Sequence, residues 1–337
     1  MALPLNRPSL RRKDFDLVLD AMVHDRLVAG EMTAQLTKEI LRSWKLAQGE
    51  LLCSVNEAAA RLLKGMNLQS GARVALSALA PQYWHVALLR RGLVPVVQDV
   101  EKEIPVLGQS AAFGLKSAGL QAVILDCALG YIPDIPGFEE LGIPIILDIS
   151  QALGGEYRGR SLAHFGSAVL SAFGIETLMA GAGGCFWGLR DATPESLGDS
   201  EDCAWERLPD LTAALIFSQW KDLADFVDKK REHLRFLKQK VSLPYFVPEV
   251  TGACVPIHPW LTVVVESGAK DVMNYTRKKL ITVDWAFRGR TESSNSSTTH
   301  DFPCARYFQS HALLFPLYAN MSRSELDLLS KVLASLP

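Results

Sequence analysis

Three aspartates stand where apolar runs of the sequence end, a position suited to ligand binding or acid–base chemistry. Asp99 follows VPVVQ, Asp126 follows AVIL and Asp148 follows IPIIL. Ligands of open parallel sheets bind beyond the carboxyl ends of the strands, so each aspartate is a candidate site residue. The structural alternative is that aspartate caps the turn or helix after its strand. Asp148 is the best functional candidate, because Gln151 places a second polar side chain near the same strand exit.

A second candidate segment is LSAFGIETLMAGAGGCFW, residues 170–187. Two short apolar strands flank a turn of small residues, which is the layout of a cofactor-anchoring loop. A lysine in such a loop could form a covalent imine. No lysine occurs between Lys116 and Lys221, so no nearby residue can supply that amine.

Two arginines, Arg288 and Arg290, lie in a long polar segment over residues 287–303. They could bind an anionic substrate such as a nucleotide diphosphate, although solvated loop arginines are the alternative. The seven histidines and six cysteines show no metal-ligand spacing and no CxxC pair, so no metal site is predicted. We interpret the cysteines as buried structural thiols.

The elements that position these residues alternate along the chain. Helical spacing over 12–24 and 32–44 precedes a region where short β-branched runs alternate with helices, which indicates a parallel sheet covered on both faces. A long helix is predicted over 211–240, followed by further strands and helices. The fold class is therefore α/β, with a large three-layer domain and a smaller α+β domain. Predicted boundaries are a helical segment at 1–45, the large domain at 46–225 and the small domain at 226–337.

Bulk properties exclude several functions. A net charge of −2 over 337 residues provides no basic surface for duplex nucleic acid. The N-terminus lacks a secretory apolar region, and no apolar run reaches the roughly 18 residues that span a bilayer. We therefore expect a cytoplasmic protein without membrane contact.

Four segments together resemble the DegT/DnrJ/StrS nucleotide-sugar aminotransferases. They are PLNRPSLRRKDFDLVLDAM, IPIILDISQALGGEYRGRSLAHFGSAVLSAF, RLPDLTAALIFSQWKDLADFVDKKREH and DFPCARYFQSHALLFPLYANMSRSELDLLSKVL. The resemblance covers nearly the whole chain. It implies the aspartate-aminotransferase-like fold, which is fold type I of the enzymes that use pyridoxal phosphate, and a homodimer. It also implies that Asp148 holds the pyridinium nitrogen of the cofactor and that Gln151 lies against its ring.

The chain departs from the family at several other positions. The position of the family's lysine falls on Thr177, or on Glu176 if the loop is aligned from its glycine end. The phosphate-binding SGT of the family aligns with Ser54, Val55 and Asn56, and its loop serine aligns with Ala172, next to Ser171. The stacking aromatic aligns with Pro81, for which Tyr83 or Trp84 could substitute.

Two hypotheses follow from these departures. The first is a degenerate homologue that does not transaminate, binds a sugar nucleotide or a paralogue in amino-sugar or polysaccharide metabolism, and needs no cofactor. The second is a sugar aminotransferase or dehydratase that holds pyridoxal or pyridoxamine phosphate noncovalently through Ser54, Asp148, Gln151 and Ser171. Under the second hypothesis, Glu176 would transfer protons.

Overall fold

The computed structural model describes residues 2–174, 183–191, 205–241, 245–248, 252–288 and 302–337. The helices in these ranges are α1 (Arg12–Val23), α2 (Glu31–Trp44), α3 (Val55–Gly65), α4 (Gln82–Arg90), α5 (Gln109–Leu115), α6 (Ile135–Glu139), α7 (Asp210–Trp220), α8 (Leu223–Lys238), α9 (Ala269–Lys278), α10 (Pro303–His311) and α11 (Arg323–Leu333). The strands are β1 (Gln48–Leu52), β2 (Arg73–Ser77), β3 (Val94–Gln98), β4 (Ala122–Asp126), β5 (Ile145–Asp148), β6 (Glu156–Tyr157), β7 (Arg160–Ser161), β8 (Ala168–Phe173), β9 (Gly184–Leu189), β10 (Tyr245–Phe246), β11 (Cys254–Val255), β12 (Leu261–Val265), β13 (Asp284–Trp285) and β14 (Ala312–Phe315).

The larger sheet has seven strands in the order β1-β9-β8-β5-β4-β2-β3. Its strands from β8 to β3 pair in parallel, whereas β9 runs antiparallel to both of its neighbours. Strands β4 and β5 are buried along their whole length, which explains their continuous apolar sequences. The predicted mainly parallel sheet is confirmed.

Helices cover both faces of this sheet and complete three layers. Residues of α3 and α4 share one apolar cluster with alternate residues of β2 and β8. Residues of α2 and α7 share a second cluster with the intervening strand residues. Consecutive strand side chains point to opposite faces, so each strand contributes to both clusters.

The smaller sheet contains β10, β12, β14 and β13 in that order and is antiparallel. Its core includes side chains of α8, α9 and α11. Leu3 joins this part of the chain through a parallel bridge to Ile281. The α/β fold class is confirmed, and the three domain boundaries stay predictions.

The predicted helix over 211–240 is wrong in one respect, because it is broken into α7 and α8. At the break, Asp222 leaves helical geometry with φ −111° and ψ 15°. Its carboxylate forms ion pairs with Arg11 and with Lys13, the latter at 2.6 Å. These partners on the N-terminal segment fix the chain where the helix changes direction.

Two further points concern the C-terminal part and the surface. Ser322 is the N-cap of α11 and forms a capping box with Glu325. Across the described part of the chain, none of the helices combines the length and the apolar character needed to traverse a bilayer.

Candidate functional site

The larger sheet creates a cleft where its chain connections diverge. Strand β2 lies between β3 and β4, so the segments that follow β2 and β4 leave in opposite directions. Between them is a cavity of about 240 Å³. The described residues that line it are Val55, Pro81, Tyr83, Asp126, Cys127, Ala128, Asp148, Ser150, Gln151 and Ala172.

Two buried carboxylates lie side by side at the carboxyl ends of the central strands. The parallel register of β4 and β5 pairs Asp126 with Asp148. Each of these residues is 3% exposed. Two of the three aspartates identified from the sequence therefore belong to one site. The third, Asp99, accepts hydrogen bonds from the backbone N–H groups of Cys304 and Ala305, so it caps the start of α10.

The carboxylate of Asp148 already accepts three hydrogen bonds from this chain. Its Oδ2 accepts from the hydroxyl of Tyr83 and, at 2.7 Å, from the indole Nε1 of Trp84. Its Oδ1 accepts from the backbone N–H of Ser150 at 3.0 Å. Each oxygen of an ionised carboxyl has about two lone pairs, so two donors fill the capacity of Oδ2.

Gln151 also lines the cavity and is held by a loop. Its Oε1 accepts from the backbone N–H of Leu129 at 2.6 Å. The carbonyl of Leu129 in turn accepts from Nδ1 of His258 at 2.8 Å. Burial lowers the pKa of His258 to about 4, so its ring is neutral near pH 7. The neighbouring Gly130 has φ +86°, and a Cβ there would lie 2.0 Å from the carbonyl oxygen of Ile257.

The thiol of Cys127 also faces the cleft. Burial, together with the negative charges of Asp148 and Asp126, raises its pKa well above the ordinary value. The thiol therefore stays protonated near neutral pH and is a poor nucleophile.

The other predicted cofactor contacts lie away from the cavity wall. Ser54 is the N-cap of α3 and accepts from the N–H of Glu57 at 3.5 Å. Asn56 is exposed on the first turn of that helix. Ser171 is fully buried, its hydroxyl has no hydrogen-bond partner among the described residues, and strand alternation turns it away from the cleft-lining Ala172.

Two other groups of predicted residues are also not seen in the cleft. Arg288 is exposed and pairs with Asp284 at 3.4 Å rather than lining the cavity. Glu176, Thr177 and Arg290 lie outside the described residues. The roles assigned to these four residues stay predictions.

The described wall of the cleft contains the carboxyl groups of Asp126 and Asp148 and no lysine, arginine or histidine. A phosphate ester binds best to cationic donors and closely approaching backbone amides. The side chains around the cleft, with Val55 and Ala172 on its wall, do not fit pyridoxal phosphate in the pose that the resemblance implies.

A lysine does lie buried elsewhere in the fold. Nζ of Lys230, on α8, donates to the carbonyl of Pro259 at 2.9 Å. Burial lowers its pKa to about 7. Lys230 is not among the described residues of the cleft wall, so it does not replace the absent loop lysine there.

Sequence reasoning missed the role of Tyr83. The resemblance offers Tyr83 or Trp84 only as a substitute for the stacking aromatic. Trp84 is indeed fully buried, but its indole N–H bonds to Asp148. The sequence shows only that each of these two adjacent aromatic residues carries a polar atom, which usually finds a partner when buried.

Comparison with known proteins gives a consistent result. The model of the DegT/DnrJ/EryC1/StrS aminotransferase family matches residues 8–195. The UDP-4-amino-4-deoxy-L-arabinose–oxoglutarate aminotransferase of Shewanella sediminis is 25% identical over 192 residues, which are 55% of this chain and 48% of that protein. The matched region thus spans about half the length of that relative.

Solved structures share the whole fold at low sequence identity. The putative sugar aminotransferase Spr1654 of Streptococcus pneumoniae, in its PMP form, has a TM-score of 0.87 at 14% identity, covering 100% of this chain and 98% of that one. The aminotransferase TlmJ of Streptoalloteichus hindustanus has a TM-score of 0.88 at 17% identity, covering 99% and 98%. These similarities confirm the predicted aminotransferase-like fold.

Proposed function

Because the chain belongs to the DegT/DnrJ/EryC1/StrS aminotransferase family, we propose that it is a member that does not transaminate. It keeps the family fold and uses the cleft between the segments after β2 and β4 to bind a ligand. The ligand that we propose is a sugar nucleotide, in amino-sugar or polysaccharide metabolism. Binding to an active paralogue, homodimer formation and a cytoplasmic location stay predictions.

The single observation that carries this proposal is the state of Asp148. Its Oδ2 is occupied by Tyr83 and Trp84 of the same chain. A carboxylate that must keep a cofactor ring protonated needs a free acceptor directed toward that ring. Here that acceptor is already used to satisfy two aromatic donors.

The surrounding residues support the same proposal. The sequence between Lys116 and Lys221 has no amine for an imine. The described wall of the cleft has no cation for a phosphate. Each lost charge-assisted contact weakens binding by roughly 1.5–3 kcal/mol, so several such losses lower affinity by orders of magnitude.

The acceptors in the cleft suit the hydroxyl groups of a sugar. Asp126, Ser150 and Gln151 make part of the wall polar, and the rings of Pro81 and Tyr83 provide apolar faces. The relative from Shewanella sediminis is named for a UDP-linked sugar. Arg288 and Arg290 stay the candidates for a nucleotide diphosphate.

A paired assay tests this proposal. The protein is incubated with pyridoxamine phosphate and 2-oxoglutarate, or with pyridoxal phosphate and glutamate, and the amino-group half-reaction is followed by visible absorption. A UDP-sugar is titrated separately by calorimetry. We expect no half-reaction and measurable sugar-nucleotide binding. Cofactor-dependent amino transfer would refute the proposal and favour the noncovalent enzyme with Glu176.

A further inference from the structure

Tyr83 and Trp84 approach Asp148 from different sides. Tyr83 is half-buried and lines the cavity, whereas Trp84 is 0% exposed and is not part of the cavity wall. Both donate to Oδ2. The remaining oxygen, Oδ1, is engaged by the backbone N–H of Ser150. The Tyr83 hydroxyl therefore occupies an acceptor position on a carboxylate that itself lines the cavity.

We infer that Tyr83 is a specificity-determining residue. Its hydroxyl binds Oδ2 of Asp148 at the position that an N–H donor of a ligand in the cleft would use. The inference rests on the proposed function and explains how the cleft rejects ligands with a protonated ring nitrogen. The hydroxyl of Tyr83 thus takes the place of a ligand donor at Asp148. Trp84 holds the same oxygen from the buried side and has no such selecting effect.

The strength of this exclusion follows from competition for one acceptor. A hydrogen bond to a charged group is worth roughly a tenfold to hundredfold factor in an equilibrium. A ring-nitrogen donor must displace the Tyr83 hydroxyl and leave it without its partner. Without the hydroxyl, the ligand has no hydrogen bond to displace and leaves no donor without a partner. The ring of a phenylalanine keeps the apolar wall of the cleft.

Binding of pyridoxamine, which carries no phosphate, tests the inference by calorimetry and thermal shift. The variants are Tyr83→Phe, Trp84→Phe and the distant control Tyr275→Phe, whose hydroxyl bonds to Ser335 instead. We expect Tyr83→Phe to bind about tenfold to a hundredfold more tightly than the wild type. Trp84→Phe and Tyr275→Phe should show no gain.

A matched ligand separates the ring nitrogen from the rest of the molecule. The compound 2-hydroxybenzylamine keeps the adjacent ring hydroxyl and aminomethyl group but lacks the ring nitrogen. Its affinity should not change in Tyr83→Phe. Three results would each overturn the inference. They are an equal gain in affinity for both ligands, no gain in affinity for pyridoxamine in folded Tyr83→Phe, and an equal gain in Trp84→Phe.

If Tyr83→Phe does not fold, an NMR measurement on the wild type tests the inference instead. A hydroxyl proton held between Tyr83 and Asp148 should give a slowly exchanging, downfield NMR signal that is absent in Asp148→Asn. We expect this signal to persist in millimolar pyridoxamine. Its absence from the wild type, or its loss on adding pyridoxamine, would overturn the inference. Amino transfer by the wild type would instead refute the proposed function, so the two failures are distinguishable.

Discussion

Replacing Lys230 by methionine should change how stability depends on pH. The amine is 5% exposed and donates to the carbonyl of Pro259 at 2.9 Å. Burial lowers its pKa from the ordinary 10.5 to about 7. Between these two values the unfolded chain binds the proton and the folded chain does not, so wild-type stability rises with pH across this window.

The magnitude follows from the size of the pKa shift. A difference of 10.5 minus about 7 is about 3.5 units. At about 1.4 kcal/mol per unit, the contribution reaches at most about 5 kcal/mol over the full window. Below about pH 7 the Lys230 amine is charged in both the folded and the unfolded state. The folded state then carries the full free-energy cost of burying that charge. Methionine fills a similar volume and carries no proton, so the variant should lack this dependence.

Urea unfolding at several pH values between 7 and 10 is the assay. We expect the free energy of unfolding of the wild type, relative to Lys230→Met, to rise by about 1 kcal/mol per pH unit in the middle of this range. The exposed neighbour Lys229, changed to methionine, is the matched control and should follow the wild type. Parallel curves for the wild type and Lys230→Met would refute the reasoning.

Other predictions concern Asp148 and the N-terminal segment. Asp148→Asn should lower the free energy of unfolding by roughly 1–3 kcal/mol, because the side-chain amide cannot accept hydrogen bonds from Trp84, Tyr83 and Ser150 together. An unchanged urea midpoint would contradict this expectation. The Arg7 guanidinium, 2.6 Å from Glu325, lowers the pKa of that carboxyl to about 2. The pair therefore contributes stability above about pH 4.5, and this stability is lost as the pH falls toward 2. Arg7→Met should reduce the loss by about 1 kcal/mol or less, since both groups are partly exposed. Acid-unfolding curves that coincide for the wild type and Arg7→Met would count against that contribution.

The sequence was sufficient to predict the fold because its patterns are strong. Continuous apolar runs such as AVIL and the IIL of IPIIL are buried on both faces of the sheet, and helices with one apolar side alternate with them. The break at Asp222 was not predictable from periodicity. It depends on ion pairs with Arg11 and Lys13, which are distant in sequence.

The candidate site was predicted in part. Asp148, Gln151 and the strand-end position of Asp126 follow from the rule that parallel strands place their carboxyl ends at one edge. The donors to Asp148 did not follow, because the approach of α4 to the end of β5 is a tertiary contact. The role assigned to Ser171 stays a prediction; its side chain points to the face of the sheet opposite to that of the neighbouring Ala172.

The most direct test of the central claim is borohydride reduction of the protein after incubation with pyridoxal phosphate, followed by intact-mass and peptide mass spectrometry. Because the described wall of the cleft has no amine and the carboxylate of Asp148 is occupied by Tyr83 and Trp84, we predict no stoichiometric pyridoxyl adduct at any single residue. A stoichiometric adduct on one lysine, including Lys230, together with loss of that adduct in Asp148→Asn, would contradict the account.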